Sequence, residues 1–483
     1  MVWLQMTDSS EILSPKPAIP PPLDSEFHPI SLGNREYLKL VWGAKTKVPL
    51  AIALERNEGN LSVLRTEILP TGCGYDAATR LYVERFVKSM LWQIGGWKII
   101  VGGPRETAEF IAQTYSHTGV RTFDVRLMEQ VYERPFVVEY TQYEKTPLAR
   151  ESSLALGGHL DGCRIGFDLG ASDYKIAAVR DGDPVFTAEI PWDPRPQSDP
   201  DWHYQKINHG LNLAARHLPR VDAIGGSAAG IYIGNYVMVA SLFRGVPAEQ
   251  FARKVKPLFV NLRKEWGVPL EVANDGDVTA LAGAMSLGAK GVLGIAMGSS
   301  QAAGFLDGQG RVTGWLNELA FAPIDYNPRA AADEWSGDLG CGVQYFSQQA
   351  VVRLAPAAGI RLAAGHPAEQ LKVVQDLHRQ GDPRPPKIFE TIGVYLGYAL
   401  AHYASLYNFQ HVLILGRVTS GAGGDLIVQK AKEVLRADFP ELAQTLSLQL
   451  PDEKSKRVGQ AVAAASLPEI RKIPEQRRGE GAK

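Results

Sequence analysis

Residues 163–182 read CRIGFDLGASDYKIAAVRDG, and this stretch predicts two apolar strands joined by a tight turn. Gly170 lets a phosphate approach the backbone of the turn, Ser172 can donate a hydrogen bond to it, and Lys175 adds a positive charge. Asp168, at the end of the first strand, is a candidate for binding Mg²⁺, directly or through water. An ordinary hairpin, with Gly for the turn and Asp as a local cap, explains the same residues without any ligand.

The chain on the C-terminal side of this stretch alternates strands with helices. The first half continues with PVFTAEIPW, a helix over 202–217, AIGGSAAG, a helix over 248–266, LEVAND and a helix over 278–287. The second half contains VLGIAMGSS, AAGFLDGQGRV, a long irregular stretch, helices over 343–354 and 388–407, HVLILG and a helix over 424–435. Because each half opens with strand, turn and strand carrying Gly and Ser, the pattern predicts an α/β fold with two lobes.

A second motif, Val272-Ala-Asn274-Asp275-Gly-Asp277, lies at the end of a predicted strand and enters a helix. A carboxylate at Asp275 could accept the proton of a substrate hydroxyl while Asn274 orients that hydroxyl, as phosphoryl transfer requires. The alternative is a helix N-cap, in which Asp275 or Asp277 satisfies the first amides of the helix.

Two further glycine-containing loops follow predicted strands. The loop from Gly298 offers the hydroxyls of Ser299 and Ser300 and several amides, which would suit a second phosphate. The loop LILGRVTSGAGGD, with Gly416 after the strand, is positioned for the base and ribose of a nucleotide. Such loops also occur in many α/β folds without binding anything.

Composition limits the classes of function. Of 483 residues, 45% are hydrophobic and 21% charged, which is typical of a globular protein with several domains. The formal net charge of −1 and the lack of a dense Lys/Arg stripe argue against a nucleic-acid partner. The three cysteines are far apart in sequence, and neither an export signal nor a long apolar run is present. We expect a cytoplasmic protein that binds neither nucleic acid nor membrane.

The N-terminal third carries its own pattern. Five prolines between Ser14 and Asp24 predict a flexible arm over residues 1–36. Residues 37–139 alternate strand and helix signals and predict a small α/β domain of unknown role, followed by a linker over 140–162. Gly102-Gly103, before a helix, could face an anion, but a tight turn between strand and helix is the favoured interpretation. Residues 468–483 form a polar tail after the domain predicted over 163–467.

The order and spacing of these motifs resemble the ROK family of sugar kinases, in the actin-like ATPase (ribonuclease H-like) superfamily. The resemblance covers about 300 residues, from Cys163 to Leu467, and includes IGGSAAG, GFLDGQGRVTG and IFETIGVYLGYALAHYASLYNFQHVLILG. It implies a two-lobed fold, with ATP and Mg²⁺ as cofactors and a sugar or polyol as substrate. It also implies contact of Gly230, Asn274, Asp275 and Glu318 with the sugar, Asp275 being the base. Relatives of this family are often dimers or tetramers, and a homodimer is one expected assembly.

The family's zinc motif is altered here. ROK proteins typically carry Gly-Glu-x-Gly-His, then Cys-x-Cys-Gly-x-x-Gly-Cys, whose His and three Cys bind zinc. The matching residues are Asn317-Glu318-Leu-Ala-Phe321 and Glu334-Trp-Ser336-Gly-Asp-Leu-Gly-Cys341. A tetrahedral site with N and S ligands cannot be built from them, so we predict no zinc. Phe321 is expected to pack into the apolar space that the metal would have organised.

Other departures weaken the implied ligand sites. A Glu that usually follows the Gly-Cys pair is Val343, and the family's Gly-Thr-Gly-x-Gly-x-Gly loop reads Gly298-Ser-Ser-Gln-Ala-Ala-Gly304. The sugar pocket is therefore predicted to be less polar than that of a hexose kinase, and Ser300 could crowd the γ-phosphate. A kinase is the leading hypothesis, and a non-catalytic sensor or scaffold is the alternative. A repressor of the ROK type would need an N-terminal helix-turn-helix, which the mixed, non-basic first 150 residues do not suggest.

Overall fold

The computed structural model describes residues 8–151, 156–170, 173–451 and 453–470. Its helices are α1 (Ile30–Gly43), α2 (Asp76–Gln93), α3 (Arg105–Thr114), α4 (Thr122–Tyr132), α5 (Pro200–Ala215), α6 (Ala248–Gln250), α7 (Leu258–Trp266), α8 (Asp275–Leu287), α9 (Gln348–Leu354), α10 (Pro367–Arg379), α11 (Pro385–Tyr403), α12 (Ala422–Asp438), α13 (Pro440–Thr445) and α14 (Glu453–Ala465). No helix within the described ranges combines the length and apolar content that crossing a membrane requires.

The strands are β1 (Val48–Glu55), β2 (Leu61–Ile68), β3 (Lys98–Gly102), β4 (Val137–Thr141), β5 (Cys163–Leu169), β6 (Asp173–Arg180), β7 (Asp183–Pro191), β8 (Ala223–Ala228), β9 (Ile231–Ile233), β10 (Tyr236–Val239), β11 (Leu270–Asn274), β12 (Val292–Met297), β13 (Gln301–Leu306), β14 (His411–Leu415) and β15 (Ser447–Gln449). The chain forms two compact units. The larger contains the described residues of 8–151 and 279–456, and the smaller those of 156–278 and 457–470. The mixed α/β class predicted from the sequence is confirmed.

The smaller unit is built on a sheet with the order β11-β8-β5-β6-β7. Strands β5, β8 and β11 run parallel, whereas β5, β6 and β7 form an antiparallel meander. Helix α14 covers β5 and β8 through glycine positions. A Cβ at Gly225 would lie 1.6 Å from the carbonyl oxygen of Ala464, and one at Gly166 would lie 1.7 Å from that of Ala461. Glycine is required there because the backbones are in contact.

The larger unit contains two four-stranded sheets, with the orders β2-β1-β3-β4 and β13-β12-β14-β15. In the first, β1 is antiparallel to both β2 and β3, and β4 is parallel to β3. Strands β2, β3 and β4 therefore end at the same edge. In the second sheet, β12, β14 and β15 run parallel and β13 returns antiparallel.

The flexible arm predicted over 1–36 is described from residue 8 onward, and there the structure differs from the prediction. Phe27 is buried, with its ring centroid 4.7 Å from that of Tyr395 on α11. The hydroxyl of Tyr395 donates a hydrogen bond to Asp24. The proline-rich segment is therefore held in place within the larger unit by a buried aromatic side chain and a side-chain hydrogen bond. Its proline content alone does not reveal these two contacts.

Residues 37–139, predicted as a domain of their own, lie in the same compact unit as residues 279–451. The predicted linker, 140–162, includes residues outside the described ranges. One part of it pairs with the first sheet, since the Leu61 and Arg150 backbones form an antiparallel bridge. The N-terminal sheet therefore shares its unit with the segment that matches the family's zinc motif.

Several predicted helices have different bounds. The helix predicted over 248–266 is interrupted, because a π-helical turn (Phe251–Val255) leads to Pro257, which has no N–H to donate. The helix predicted over 343–354 starts with a 3₁₀ turn (Gly342–Gln344) and begins properly after Ser347, whose hydroxyl accepts a hydrogen bond from the Gln349 N–H. Helix α10 was not predicted.

Candidate active site

Polar side chains of the smaller unit gather where its parallel strands end. Asp168 on β5 is in register with Ser227 on β8, which is in register with Ala273 on β11. Asn274 follows at the end of β11, and Asp275 begins α8. Ligands of open α/β sheets bind at the carboxyl ends of such strands. The fold therefore brings the first and second sequence motifs together, although more than 100 residues separate them.

Asp168 is a buried carboxylate with one strong partner. The Ser227 hydroxyl donates to its Oδ1 over 2.7 Å. Burial raises the pKa of Asp168, and the Ser227 bond and the charge of Lys175 only partly offset that effect. Lys175 faces it across the hairpin register but is itself exposed. Sequence reasoning missed Ser227, although its place at the end of AIGGSAAG could have indicated it.

Asp275 has a pKa suited to proton transfer near neutral pH. Burial raises its pKa to about 6, with a further contribution from the charge of Asp168. The N–H of Gly276 donates to its Oδ1 over 3.1 Å. Burial followed by the Asp275 charge also raises the pKa of the Tyr232 hydroxyl, so Tyr232 is a neighbour that the sequence did not suggest. Two carboxylates that influence each other at strand ends are a pattern of acid–base sites.

Asn274 connects the glycine turn after β8 to the start of α8. Its Nδ2 donates to the Gly230 carbonyl over 2.7 Å, and its Oδ1 accepts the Gly276 N–H over 2.7 Å. The side chains of Asn274 and Asp275 therefore both cap the N-terminus of α8. Asp277 is buried in the first turn of the same helix. Gly230 has φ +132°, and a Cβ there would lie 2.3 Å from the Val239 carbonyl oxygen. The backbone thus requires glycine at 230 whether or not a ligand binds.

The predicted first phosphate turn is only partly described. Ser172 lies outside the described residues. The Gly170 N–H donates to the Asp173 carbonyl over 3.0 Å, and the Trp192 Nε1 donates to the Gly170 carbonyl over 2.9 Å. Both polar groups of the Gly170 peptide therefore close the hairpin, so the Gly170 amide is not available to a phosphate. A phosphate here would depend on other groups, such as Lys175.

The other two loops follow β12 and β14, neighbouring parallel strands of the larger unit. Ser299 and Ser300 are exposed in the turn between β12 and β13. The Gly298 N–H donates to the Ser300 carbonyl over 2.9 Å, and the Gly298 carbonyl accepts from Gln348 over 2.9 Å. Gly416, after β14, has φ +101° and packs against Met297 at the end of β12. The fold thus places these two loops side by side within the larger unit.

Substituting alanine for each of the two glycines of these loops is expected to change the stability of the protein by different amounts. A Cβ at Gly416 would lie 2.3 Å from the Met297 carbonyl oxygen at positive φ, whereas one at Gly298 would meet only the Ser300 carbonyl oxygen at 3.6 Å. We expect Gly416→Ala to lower the free energy of unfolding by about 1–3 kcal/mol, and Gly298→Ala by less than about 0.5 kcal/mol. Urea denaturation of both variants measures this difference. Equal destabilisation would contradict the packing role of Gly416.

Glu318, expected at the sugar, lies on a loop held by the N-terminal segment. The N–H groups of Leu316, Asn317 and Glu318 donate to the carbonyls at the C-terminal end of α2, which belong to Ile94, Gln93 and Trp92, over 3.1, 3.0 and 2.9 Å. These bonds satisfy carbonyls that a helix end leaves without partners. They also fix the backbone of the Glu318 loop to α2, an arrangement that the sequence did not predict.

Phe321, which replaces the family's His, packs against aromatic side chains of the N-terminal segment. Its ring centroid lies 4.4 Å from that of Trp92 and 5.4 Å from that of Phe123. The expected apolar packing of Phe321 is therefore observed, although its partners come from a segment predicted to be a separate domain. Trp92 is fully buried and donates through Nε1 to Asp124.

A buried ionic cluster occupies the rest of the altered zinc motif. Asp338 lies 2.6 Å from Arg85 Nη1, 2.8 Å from Lys88 Nζ and 2.5 Å from Arg121 Nη1. Burial alone would raise the pKa of Asp338, but these three cations hold it well below its ordinary value. Glu84 and Asp124 pair with the same cations, so the cluster contains three acids and three bases. Sequence reasoning missed this cluster, although the charges of Glu84, Arg85 and Lys88 close together on α2 could have indicated it.

The residues that match the zinc ligands have other surroundings. Glu334 is exposed, Ser336 donates to Asp333 Oδ2 over 2.6 Å, and the buried Cys341 thiol lies 3.6 Å from Asp338 Oδ2. Burial raises the pKa of that thiol to about 12. Across the described residues, His, Cys, Asp and Glu side chains form no group of three arranged to hold a metal ion. The absence of zinc stays a prediction.

Comparison with known proteins identifies the fold. No family model matches the chain, and no curated protein matches it by sequence. Among solved structures, a ROK hexokinase from Thermus thermophilus is similar at 17% identity and a TM-score of 0.50, over 63% of this chain and 97% of that one. A ROK family glucokinase from Streptomyces griseus matches at 22% identity and 0.47, over 63% and 98%. A ROK family transcriptional regulator, described as a homologue of the E. coli MLC protein, matches at 22% and 0.48, over 64% and 79%. The similarity to the hexokinase shows that 63% of this chain shares the fold of that protein, which is the ROK-like fold that the motifs predicted.

Proposed function

We propose that this protein transfers the γ-phosphoryl group of ATP to a hydroxyl of a sugar or polyol. The observation that carries the proposal is the Asp275 carboxylate, which lies at the carboxyl end of β11 with a pKa raised to about 6 beside Asp168. A base with such a pKa is ionised at neutral pH and yet basic enough to accept a hydroxyl proton. The likeness in fold to a hexokinase motivates the choice of sugars as acceptors.

In the proposed reaction the substrate oxygen forms a bond to the γ-phosphorus as the bond from that phosphorus to the bridging oxygen of ADP breaks. Asp275 takes the hydroxyl proton and later releases it to water. Asn274 uses one Nδ2 hydrogen on Gly230 and keeps another that can orient the hydroxyl. Glu318 is proposed as an acceptor for a second hydroxyl of the same substrate.

Asp168, at the end of β5, is the residue that we propose to hold a magnesium ion. Asp168 is a carboxylate, the kind of ligand that Mg²⁺ prefers, and Mg²⁺ usually takes only one or two carboxylates besides phosphate and water. When bound, the ion would neutralise charge on the phosphate oxygens. We propose Lys175 and the residues Gly170, Ser172, Gly298, Ser299 and Ser300 as phosphate contacts, and Gly416 as a contact of the nucleoside. Because the Gly170 N–H is already hydrogen-bonded within the protein, Gly170 would contribute only by leaving room for the phosphate.

The pH dependence follows from the raised pKa of Asp275. Because the base must be ionised, we expect kcat/KM for phosphoryl transfer to rise about tenfold per pH unit below about 6 and to level off above it. Initial rates between pH 4.5 and 8, with protein stability checked at each pH, measure this. A flat profile across pH 6 would show that Asp275 does not control the rate.

Calorimetry with Mg·ATP, with and without a panel of hexoses, amino sugars and polyols, tests the proposal as a whole. We expect one acceptor to strengthen nucleotide binding and to yield ADP and a phosphorylated product. No nucleotide binding with any acceptor would reject the kinase. The protein is expected to be cytoplasmic and to form a homodimer, which fractionation and light scattering would check.

A sensor or scaffold without catalysis is the second candidate, and one observation favours it. The loop of Glu318 is tied to α2 by three backbone hydrogen bonds, and Phe321 is packed against Trp92. Such a fixed and partly apolar loop would suit recognition better than a site that must rearrange during turnover. This candidate predicts that a sugar protects the protein from proteolysis although no acceptor is phosphorylated.

A further inference from the structure

A cleft of about 560 Å³ opens in the N-terminal part of the larger unit, and the proposed reaction does not use it. Ile68, Gly103 and Gln142 line it, each at or just after the end of β2, β3 or β4. Three strands that run in one direction thus end at this cleft, which is the usual place for a ligand in an α/β sheet. Its volume lies within the range of small-molecule sites.

The lining of the cleft includes apolar side chains and aromatic rings. Leu69 and Val83 are among the apolar residues, and Phe110, Tyr140 and Tyr143 are the aromatic ones. Leu69 and Val83 are buried, so the apolar surface is part of a packed core rather than a loose loop. A ligand with a short apolar body would be desolvated here.

The charges at the cleft select the sign of the ligand. Asp76, Glu106 and Glu144 line it with a single guanidinium, Arg80, a formal balance of three negative charges against one positive. Asp76 accepts the Gly72 N–H over 2.8 Å and Glu106 accepts the Thr71 hydroxyl, both neutral donors. Within the described ranges, none of these carboxylates forms an ion pair. Acceptors that lack a cationic partner favour a positively charged ligand.

The aromatic rings at the cleft already have cationic partners. Arg80 lies over the Phe110 ring at 5.6 Å, and two guanidiniums from outside the lining, Arg105 and Arg65, lie over Tyr140 at 4.6 Å and Tyr143 at 5.0 Å. Each of these rings therefore already has a guanidinium partner, so the rings contribute apolar surface and the carboxylates determine the sign of the ligand. Arg65 and Arg105 reduce the negative field from outside, but the carboxylates remain inside the cleft. We propose that the cleft binds a small organic cation, an amine or guanidinium on a short apolar body.

Calorimetry on the full chain with matched probes tests the ligand class. The probes are n-butylguanidinium and n-butylammonium as cations, n-pentanol as a neutral analogue and butyrate as an anion. We expect at least one cation to bind at least tenfold more tightly than n-pentanol, and butyrate not to bind. Equal binding of n-pentanol, or no binding of either cation, overturns the proposal. N-acetylarginine methylamide represents a guanidinium on a protein, and its binding without either free cation would also overturn it.

Carboxylate variants test the location. Glu106→Gln and Glu144→Gln are each expected to weaken the cation about three- to tenfold, and Glu109→Gln, an exposed position on the same helix that does not line the cleft, is expected to leave it unchanged. Thr107→Trp, which fills the cleft from α3, should abolish binding. If the cation binds equally to all four variants, it binds elsewhere and the proposal fails. The outcome does not depend on whether the protein phosphorylates a sugar.

Discussion

Asp275→Asn is expected to lower kcat for phosphoryl transfer by about 10²–10⁴-fold, the usual contribution of a general base. The amide has nearly the same size and can still accept the Gly276 N–H, so α8 should keep its start. What it cannot do is take the hydroxyl proton. Initial rates of ADP formation at saturating Mg·ATP, with the best acceptor from the panel, measure the loss, and circular dichroism with thermal melting checks the fold.

Glu271→Gln is the matched control for this variant. Glu271 lies on β11, the strand that ends just before Asp275. It accepts a hydrogen bond from Asn235 Nδ2 over 3.0 Å and lies outside the site. We expect its kcat to stay within about twofold of the parent, since an amide oxygen can accept the same bond. Comparable rates for Asp275→Asn and the parent would remove Asp275 from the role of base. If the parent protein has no kinase activity with any acceptor, the non-catalytic sensor becomes the leading candidate function.

Asp338→Asn is expected to destabilise the larger unit by about 3–5 kcal/mol, the range for removing one partner from a buried ion pair. Arg85, Lys88 and Arg121 all lie within 2.8 Å of the Asp338 carboxylate, and the neutral amide would leave their charges inadequately compensated. Urea denaturation followed by Trp fluorescence measures the loss. Because Trp92 lies beside the cluster through Asp124, its emission should report the same transition.

The contribution of the Asp338 carboxylate to stability is expected to decrease at low pH. The pKa of Asp338 is held well below its ordinary value in the folded protein. Its stabilising effect is therefore fully present above the unfolded pKa of about 4, and it is lost only as pH falls through the lowered folded value. Asp382→Asn, which breaks a surface pair with Arg384, should leave the urea midpoint unchanged. An Asp338→Asn midpoint as high as that control would show that the cluster contributes nothing to stability.

The sequence predicted most elements of the fold because their signals are local. The apolar runs of β5, β12 and β14 and the glycines between them are visible without any tertiary information. Asp168 and Asp275 could be named because each directly follows such a run. Interruptions of helices were harder to predict. The interruption near Pro257 includes a π-helical turn, which the spacing of apolar residues does not indicate.

By itself the sequence determined the α/β class, the order of the glycine turns and the candidate base. The spacing of apolar residues and the residue types of a turn depend only on neighbouring positions in the chain. Only the tertiary structure decided the packing, hydrogen bonds and burial of these residues. It showed that Gly225 and Gly416 serve backbone packing, that the Gly170 amide is occupied, and that burial beside Asp168 raises the pKa of Asp275. It also brought α2 against the altered zinc motif, where Asp338 meets three cations. Burial and charge pairing arise between residues far apart in the chain, so no local pattern could specify them.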